Sequence, residues 1–367
     1  MTWKGEAGLT ERSGGDKSIA DLRKAVFWGA SSVLISSLTI LLIFRLTGNK
    51  APLADILRVG LGTLAVAAAM VVASWLVDGL RLLVLARAMG GPLSYLEAVR
   101  ISVTGAFMAG VTPSDTGGEP LKVYYLHRNG MSIGQATASV TLVAMLHTTT
   151  RFLLWLLVPL AAFFLGFSWQ FTTAVKVTLT FGLLLYLLFM ALLVASTLRP
   201  EAVVHLAVWL FGTKLASRFV SPGLLTKVES AVRRVAEDFR EGMMKFRTKG
   251  SRVVIALALS LLYWVVVMSV PVFLLREMGS QASTFQIFSL SMTVYLVMAY
   301  MPTPGASGGA EVGSAIFFSP FLPARVLGTF VVVWRVVTYY FTLAIGGALV
   351  VLDTLVHSYR RIKLQSP

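Results

Sequence analysis

The sequence contains no cysteine. Disulfides, thiolate metal sites and cysteine nucleophiles are therefore excluded. Charge is scarce as well: 13% of the 367 residues are Asp, Glu, Lys or Arg, with 17 acids against 32 bases. The four histidines, His127, His147, His205 and His357, fall in separate regions without metal-ligand spacing. No G-x-x-x-x-G-K-[ST] stretch occurs, so the sequence offers no phosphate loop for ATP. No cofactor is expected. What abounds is apolar: 56% of residues are hydrophobic and the mean hydropathy is +0.77. One soluble core could not hide that much apolar surface, so lipid must solvate most of the chain.

The formal charge is +15. In a soluble chain that surplus would point to nucleic acid. Here the bases lie between apolar runs, so they read as cytoplasmic-loop residues facing anionic headgroups, and no nucleic-acid partner is expected. The polar segment 1–24, with Lys17, Arg23 and Lys24, precedes an uncharged stretch from Ala25 to Phe44. That stretch is too long for a signal-peptide core and reads as a first membrane anchor.

Uncharged runs long enough to cross about 30 Å of hydrocarbon predict six spans, at 25–44, 57–80, 132–166, 174–198, 252–275 and 323–352. Two further apolar segments are broken. One ends in Pro113-Ser-Asp-Thr-Gly-Gly-Glu-Pro120; the other is interrupted by Pro302-Thr-Pro-Gly305 and by Gly308-Gly309. Helices do not run through such sequences. Irregular backbone at membrane depth needs cover from protein or a water-filled cavity. Both segments, near 97–130 and 284–320, therefore read as re-entrant hairpins.

The connection 199–251 is rich in Lys and Arg and is expected to be cytoplasmic, as are both termini, including the tail 353–367 with Arg360, Arg361 and Lys363. Within that connection Leu225, Val228, Val232, Val235, Phe239, Met243 and Phe246 recur at helical spacing, which predicts an amphipathic helix in the headgroup plane. The first half, 25–166, then has a hairpin entering from the cytoplasm, and the second, 167–352, one entering from outside. The fold class is all-α: a polytopic integral membrane protein with about six spans and two re-entrant hairpins in an inverted repeat, an arrangement typical of secondary transporters.

The two breaks resemble each other. Asp115, Gly117, Gly118, Glu119 and Lys122 surround the first, with Arg151 on the following helix; Gly308, Gly309 and Glu311 surround the second, with Arg335 following. Glycines let backbone approach a ligand closely, and a helix starting at each break aims its N–H groups and positive dipole end at mid-membrane. Arg151 and Arg335 cannot be neutralised and bind phosphate bidentately. An arginine facing lipid costs about 2.5–3.5 kcal/mol or more, so each is expected to face a cavity or a partner. Glu119 and Glu311 either pair with these arginines, receive a cationic headgroup, or cap the helix starts. His147, the i,i+3 pair Asp78 and Arg81, and Trp155, Trp264 and Trp334 all have plainer readings as packing, surface or interface residues.

Residues 117–140, GGEPLKVYYLHRNGMSIGQATASV, 302–318, PTPGASGGAEVGSAIFF, and WRVVTYY at 334–340 resemble the flippase-like transmembrane domain of the lysylphosphatidylglycerol synthase (multiple peptide resistance factor) family. The resemblance implies transfer of a lipid between leaflets of the cell inner membrane, such as an aminoacylated phosphatidylglycerol or a polyprenyl-phosphate-linked sugar lipid. A membrane phospholipid is then the partner, with a separate lipid-synthesising enzyme and a second copy of the chain as further expected partners. Relatives often carry acids flanking the first-half arginine, whereas here the stretch reads His147-Thr-Thr-Thr-Arg151-Phe-Leu-Leu-Trp155. No segment accommodates the soluble aminoacyl-transfer domain of the fused synthases. Two other readings stay open: an intramembrane lipid-modifying enzyme using Asp115 and Glu119 as acid and base, and a small-solute transporter. The expectation is a transporter, not an enzyme.

Overall fold

The computed structural model describes residues 29–48, 52–164, 250–299 and 301–365, with isolated positions 184 and 188. Among the described residues the ordered elements are all helical. In chain order they are α1 (Gly29–Leu46), α2 (Pro52–Leu57), α3 (Leu61–Ala88), α4 (Tyr95–Val111), α5 (Gly118–Arg128), α6 (Ile133–Phe164), α7 (Gly250–Glu277), α8 (Thr284–Met298), α9 (Gly309–Phe318), α10 (Ala324–Arg335) and α11 (Phe341–Gln365). A π-helical turn, Val336–Tyr340, joins α10 to α11. Five helices are long and apolar enough to span a membrane: α1, α3, α6, α7 and the continuous α10–α11 unit. They correspond to five of the six expected spans. The expected span at 174–198, the amphipathic helix at 225–246 and the segment 1–24 lie outside the described residues.

Several helix starts are written locally. Ser94 accepts from Glu97 N while Glu97 accepts from Ser94 N, and Ser283 and Gln286 do the same at α8. Ser132 and Gln135 repeat the exchange at α6. Each is a capping box that satisfies two helix N–H groups otherwise without partners.

Helix α3 corrects the second span. The sequence places its end near Asp78, where charge begins, yet the helix continues to Ala88 with Asp78 and Arg81 buried inside the protein. The charges are paired internally, so charge alone does not end the helix. Helix α11 runs through most of the tail segment 353–367, to Gln365.

The two hairpins, α4–α5 and α8–α9, each fold back on themselves at a short 3₁₀ turn. Their bases lie at opposite ends of the bundle. The first sits where α3 finishes: Arg100 on α4 and Arg128 on α5 both reach Asp353 on α11 at 2.6 Å. At the other end, where α3 begins, Thr63 donates to Glu277 at the end of α7 (3.3 Å), and Arg325 of α10 pairs with Asp55 of α2 (3.4 Å). The second hairpin starts and finishes there. The two tips meet between these ends, and Tyr339 OH donates to Gly110 O at 2.9 Å across the junction.

Helix α4 is clasped closely on both sides. A Cβ at Gly79 of α3 would stand 2.6 Å from Val99 Cα, and one at Gly346 of α11 would stand 3.0 Å from Val103 O. Small residues permit this backbone-to-backbone contact, which drives helix association where lipid removes the hydrophobic force.

Candidate functional site

The two tips are built from one repeated pattern, Thr-Pro-x-x-[Thr/Ser]-Gly-Gly, at 112–118 and 303–309. In each, proline opens a 3₁₀ turn and the next residue turns left-handed: Ser114 at φ 52 and Gly305 at φ 56. The third residue follows suit, Asp115 at φ 57 and Ala306 at φ 53. Left-handed backbone strains residues other than glycine, and such strain persists only where the surroundings enforce it. The threonines lock the turns: Gly117 N donates to Thr112 Oγ1 (2.9 Å), and Thr303 Oγ1 donates to Ser307 O (2.8 Å).

The acids that follow are offset by one residue. Glu119 lies two residues beyond the first glycine of its pair, whereas Glu311 lies three beyond. At the third helical position Glu311 reaches back and accepts Gly308 N–H at 2.7 Å. Ser36 of α1 donates to the same carboxylate, and Arg335 Nε stands 2.8 Å from it. Glu311 is fully buried. Moving one residue along a helix rotates a side chain by about 100°, so Glu119 cannot repeat that reach and is instead exposed. The start of α9 therefore carries its own carboxylate, a correction to the expectation of an open anion site there.

Arg335 is the clamp of the second tip. It donates from Nη1 to Gly305 O (3.2 Å) and from Nη2 to Ser307 Oγ (3.3 Å), and its guanidinium lies 4.0 Å from the Tyr339 ring centroid. The π-helical turn follows Arg335 and contains Tyr339, and both side chains reach the same tip. Ser32 of α1 completes the knot, 3.1 Å from Pro304 O and 2.7 Å from Ser307 Oγ, and also meets the Tyr339 hydroxyl.

A cavity of about 380 Å³ opens beside the joined tips. Of the residues expected at a site, Asp115, Glu119, Lys122, Arg151 and Arg335 line it. Gly117, Gly118, Gly308, Gly309 and Glu311 do not. Gly117 and Gly118 press against α4, where added Cβ atoms would meet Thr112 at 2.7 Å and Gly105 O at 3.0 Å. Gly308 and Gly309 shape the second tip. Arg151 sits over the Trp264 ring at 5.7 Å, a cation–π contact.

Asp78, Arg81, His147 and Trp264 line the cavity too, while the expected i,i+3 pair of Asp78 and Arg81 forms and Trp264 packs in an apolar cluster. Arg81 pairs with Asp78 and donates to Ser260 Oγ (3.3 Å), and both Nη atoms stand 3.5 Å from His147 Nδ1. Lys122 Nζ lies 3.9 Å from Asp78. Its stem crosses α4 at Gly105, where a Cβ would come within 2.5 Å of Lys122 Cε. The signal in the sequence was the i,i+3 spacing of Asp78 and Arg81 after a long uncharged run.

Five apolar helices, two opposed hairpins and a charged cavity at their junction define a polytopic α-helical membrane protein with an internal polar site. Within that class the family is established by comparison. The chain belongs to the family described as lysylphosphatidylglycerol synthase TM region, whose profile matches residues 30–346. It is also similar to a UPF0104 membrane protein of Archaeoglobus fulgidus, 28% identical over 319 residues, which is 86% of this chain and 94% of that protein.

Proposed function

We propose that this protein moves an anionic or aminoacylated phospholipid, or a polyprenyl-phosphate-linked lipid, between the leaflets of the cell inner membrane, with both termini cytoplasmic. The observation that carries the reading is the cavity at the hairpin junction, where Arg151 and Arg335 stand beside exposed Asp115 and Glu119. The fixed cations suit a phosphate and the acids suit an amine, while apolar outer faces such as Leu34, Leu38, Leu41 and Leu42 on α1 leave acyl chains in the bilayer. Family membership supports a lipid-related role. In this reading the chain is a transporter, not an enzyme. Hairpins entering from opposite ends suit a site exposed alternately to each side.

The test is leaflet exchange in proteoliposomes, using a panel of labelled anionic, aminoacylated and neutral lipids. Exchange above that of protein-free vesicles is expected for the anionic or aminoacylated lipids, and Arg151→Ala should abolish it while leaving the protein inserted. Background rates across the whole panel would refute the proposal. Recovery of chemically altered lipid would instead identify an enzyme, and solute uptake without lipid movement a small-solute transporter.

A further inference from the structure

The cavity has a second group of cations that the hairpin tips do not use. Arg81 from α3, Lys122 from α5 and His147 from α6 converge on one wall with a single carboxylate, Asp78, among them. Arg81 and Lys122 thus share the one carboxylate that stands within ion-pair distance of either among the described residues. The hydrogen-bond inventory points the same way. Lys122 Nζ is 3.9 Å from Asp78, beyond hydrogen-bond length, and no hydrogen bond to it is present among the described residues. Arg81 is 2% exposed, and its Nε has no hydrogen-bond partner among the described residues. Arginine has only donors, so His147 Nδ1, facing both Arg81 Nη atoms, must accept. That assigns the ring proton to Nε2. The wall is thus rich in donors: the ammonium protons and His147 Nε2–H, with the unpartnered Arg81 Nε–H buried behind them.

We infer that Arg81, Lys122 and His147 form a second anion station, which takes a phosphate oxyanion. Two cations sharing one carboxylate, with donors left unfilled, are met by a ligand that is anionic and rich in acceptors. Asp78 keeps the station from over-binding, because it remains paired to Arg81. His147 and Arg151 are four residues apart on α6, about 6 Å along the axis. A phosphate leaving Arg151 therefore meets the second station within one helical turn. The inference deepens the transport reading and rests on it for a lipid headgroup as the source of the phosphate.

The experiment is equilibrium binding by calorimetry on the purified full-length protein in detergent. One arm uses inorganic phosphate, and the other dihexanoyl-phosphatidylglycerol with dihexanoylglycerol as the uncharged control. Saturable binding is expected from the short-chain phospholipid and not from the uncharged control. Binding of inorganic phosphate as well assigns the station to the phosphate group itself, and binding of the lipid alone assigns it to a headgroup. Lys122→Met should weaken that binding at least about tenfold, and Lys122→Arg should restore it, which controls for misfolding. Wild-type affinity in a folded Lys122→Met protein, or no saturable binding in either arm, overturns the inference. Leaflet exchange measured on the same proteins separates the two claims. Station binding without exchange in the wild type sinks the transport reading, whereas exchange without station binding sinks only this one.

Discussion

Replacing Glu311 by glutamine tests the division of labour between the two hairpins. The carboxylate is fully buried and meets Gly308 N–H, Ser36 Oγ and Arg335 together. A glutamine carbonyl can keep the Gly308 bond, which falls on Oε2, while its amide takes the place of Oε1, the oxygen that accepts from Ser36. Nor can that amide balance Arg335, which is 1% exposed and permanently charged. Stranding one partner of a buried ion pair costs about 3–5 kcal/mol. Glu311→Gln should therefore lower thermal stability sharply, read by size-exclusion recovery after heating in detergent. Adding Arg335→Met should return much of the loss, since the stranded charge is gone. Glu119→Gln, at an exposed site, should change stability by no more than about 0.5 kcal/mol while reducing lipid exchange. Equal stability losses at Glu311 and Glu119 would refute the argument that a one-residue offset separates a strut from a cavity-facing acid.

Three further perturbations probe neighbouring claims. Asp115→Asn keeps a residue type that tolerates φ 57, so stability should hold within about 0.5 kcal/mol while lipid exchange falls; unchanged exchange would remove Asp115 from the site. Gly308→Ala places a methyl no nearer than 3.5 Å to Ile35 Cγ2, so its cost is conformational alone, about 1–3 kcal/mol for a side chain held at φ 87, ψ −56, visible as a lower melting temperature. Asp353→Asn breaks the bridges to Arg100 and Arg128. Those arginines are partly exposed, so the loss should be about 1 kcal/mol or less per bridge, and the difference from wild type should shrink in 1 M salt.

Where the chain itself is punctuated, the fold was readable. Pro113 and Pro304, with the glycine pairs after them, interrupt apolar runs and place both hairpin tips within a few residues. Arg151 and Arg335 stood out because each is a lone charge deep within an apolar run. The misreadings came from contacts between residues far apart in sequence. Asp78 and Arg81 looked like a membrane boundary because their companions, His147 and Ser260, lie 66 and 179 residues from Arg81. Ser32 and Ser36 lie one turn apart on a helix that read as a plain anchor. Their partners, 275 residues away at Ser307 and Glu311, make them the tie between α1 and the second tip. The motif's resemblance in the two halves suggested equal roles for Glu119 and Glu311. Only counting from the glycine, position by position, reveals that one can cap its helix and the other cannot.

Stability does not account for this concentration of charge. Four cations line the cavity: Arg81, Lys122, Arg151 and Arg335. At about 2.5–3.5 kcal/mol each when facing hydrocarbon, they would together cost about 10–14 kcal/mol, comparable to the whole stability of a domain. Asp78 and Glu311 offset part of that by pairing with Arg81 and Arg335. Even so, a buried pair is often no better than well-packed apolar residues and can be worse by about 1–4 kcal/mol. Arg151 lies over the face of Trp264, and Lys122 stands 3.9 Å from a carboxylate, beyond hydrogen-bond length. A scaffold whose only task was to span a bilayer would be served better by Leu and Phe at all of these positions. The glycines that bring α3, α4 and α11 into backbone contact, the left-handed tips and the π-helical turn after Arg335 all act to bring these groups to one place. The cavity charges are thus the part of the sequence that folding leaves unexplained and that binding a polar headgroup within the membrane explains.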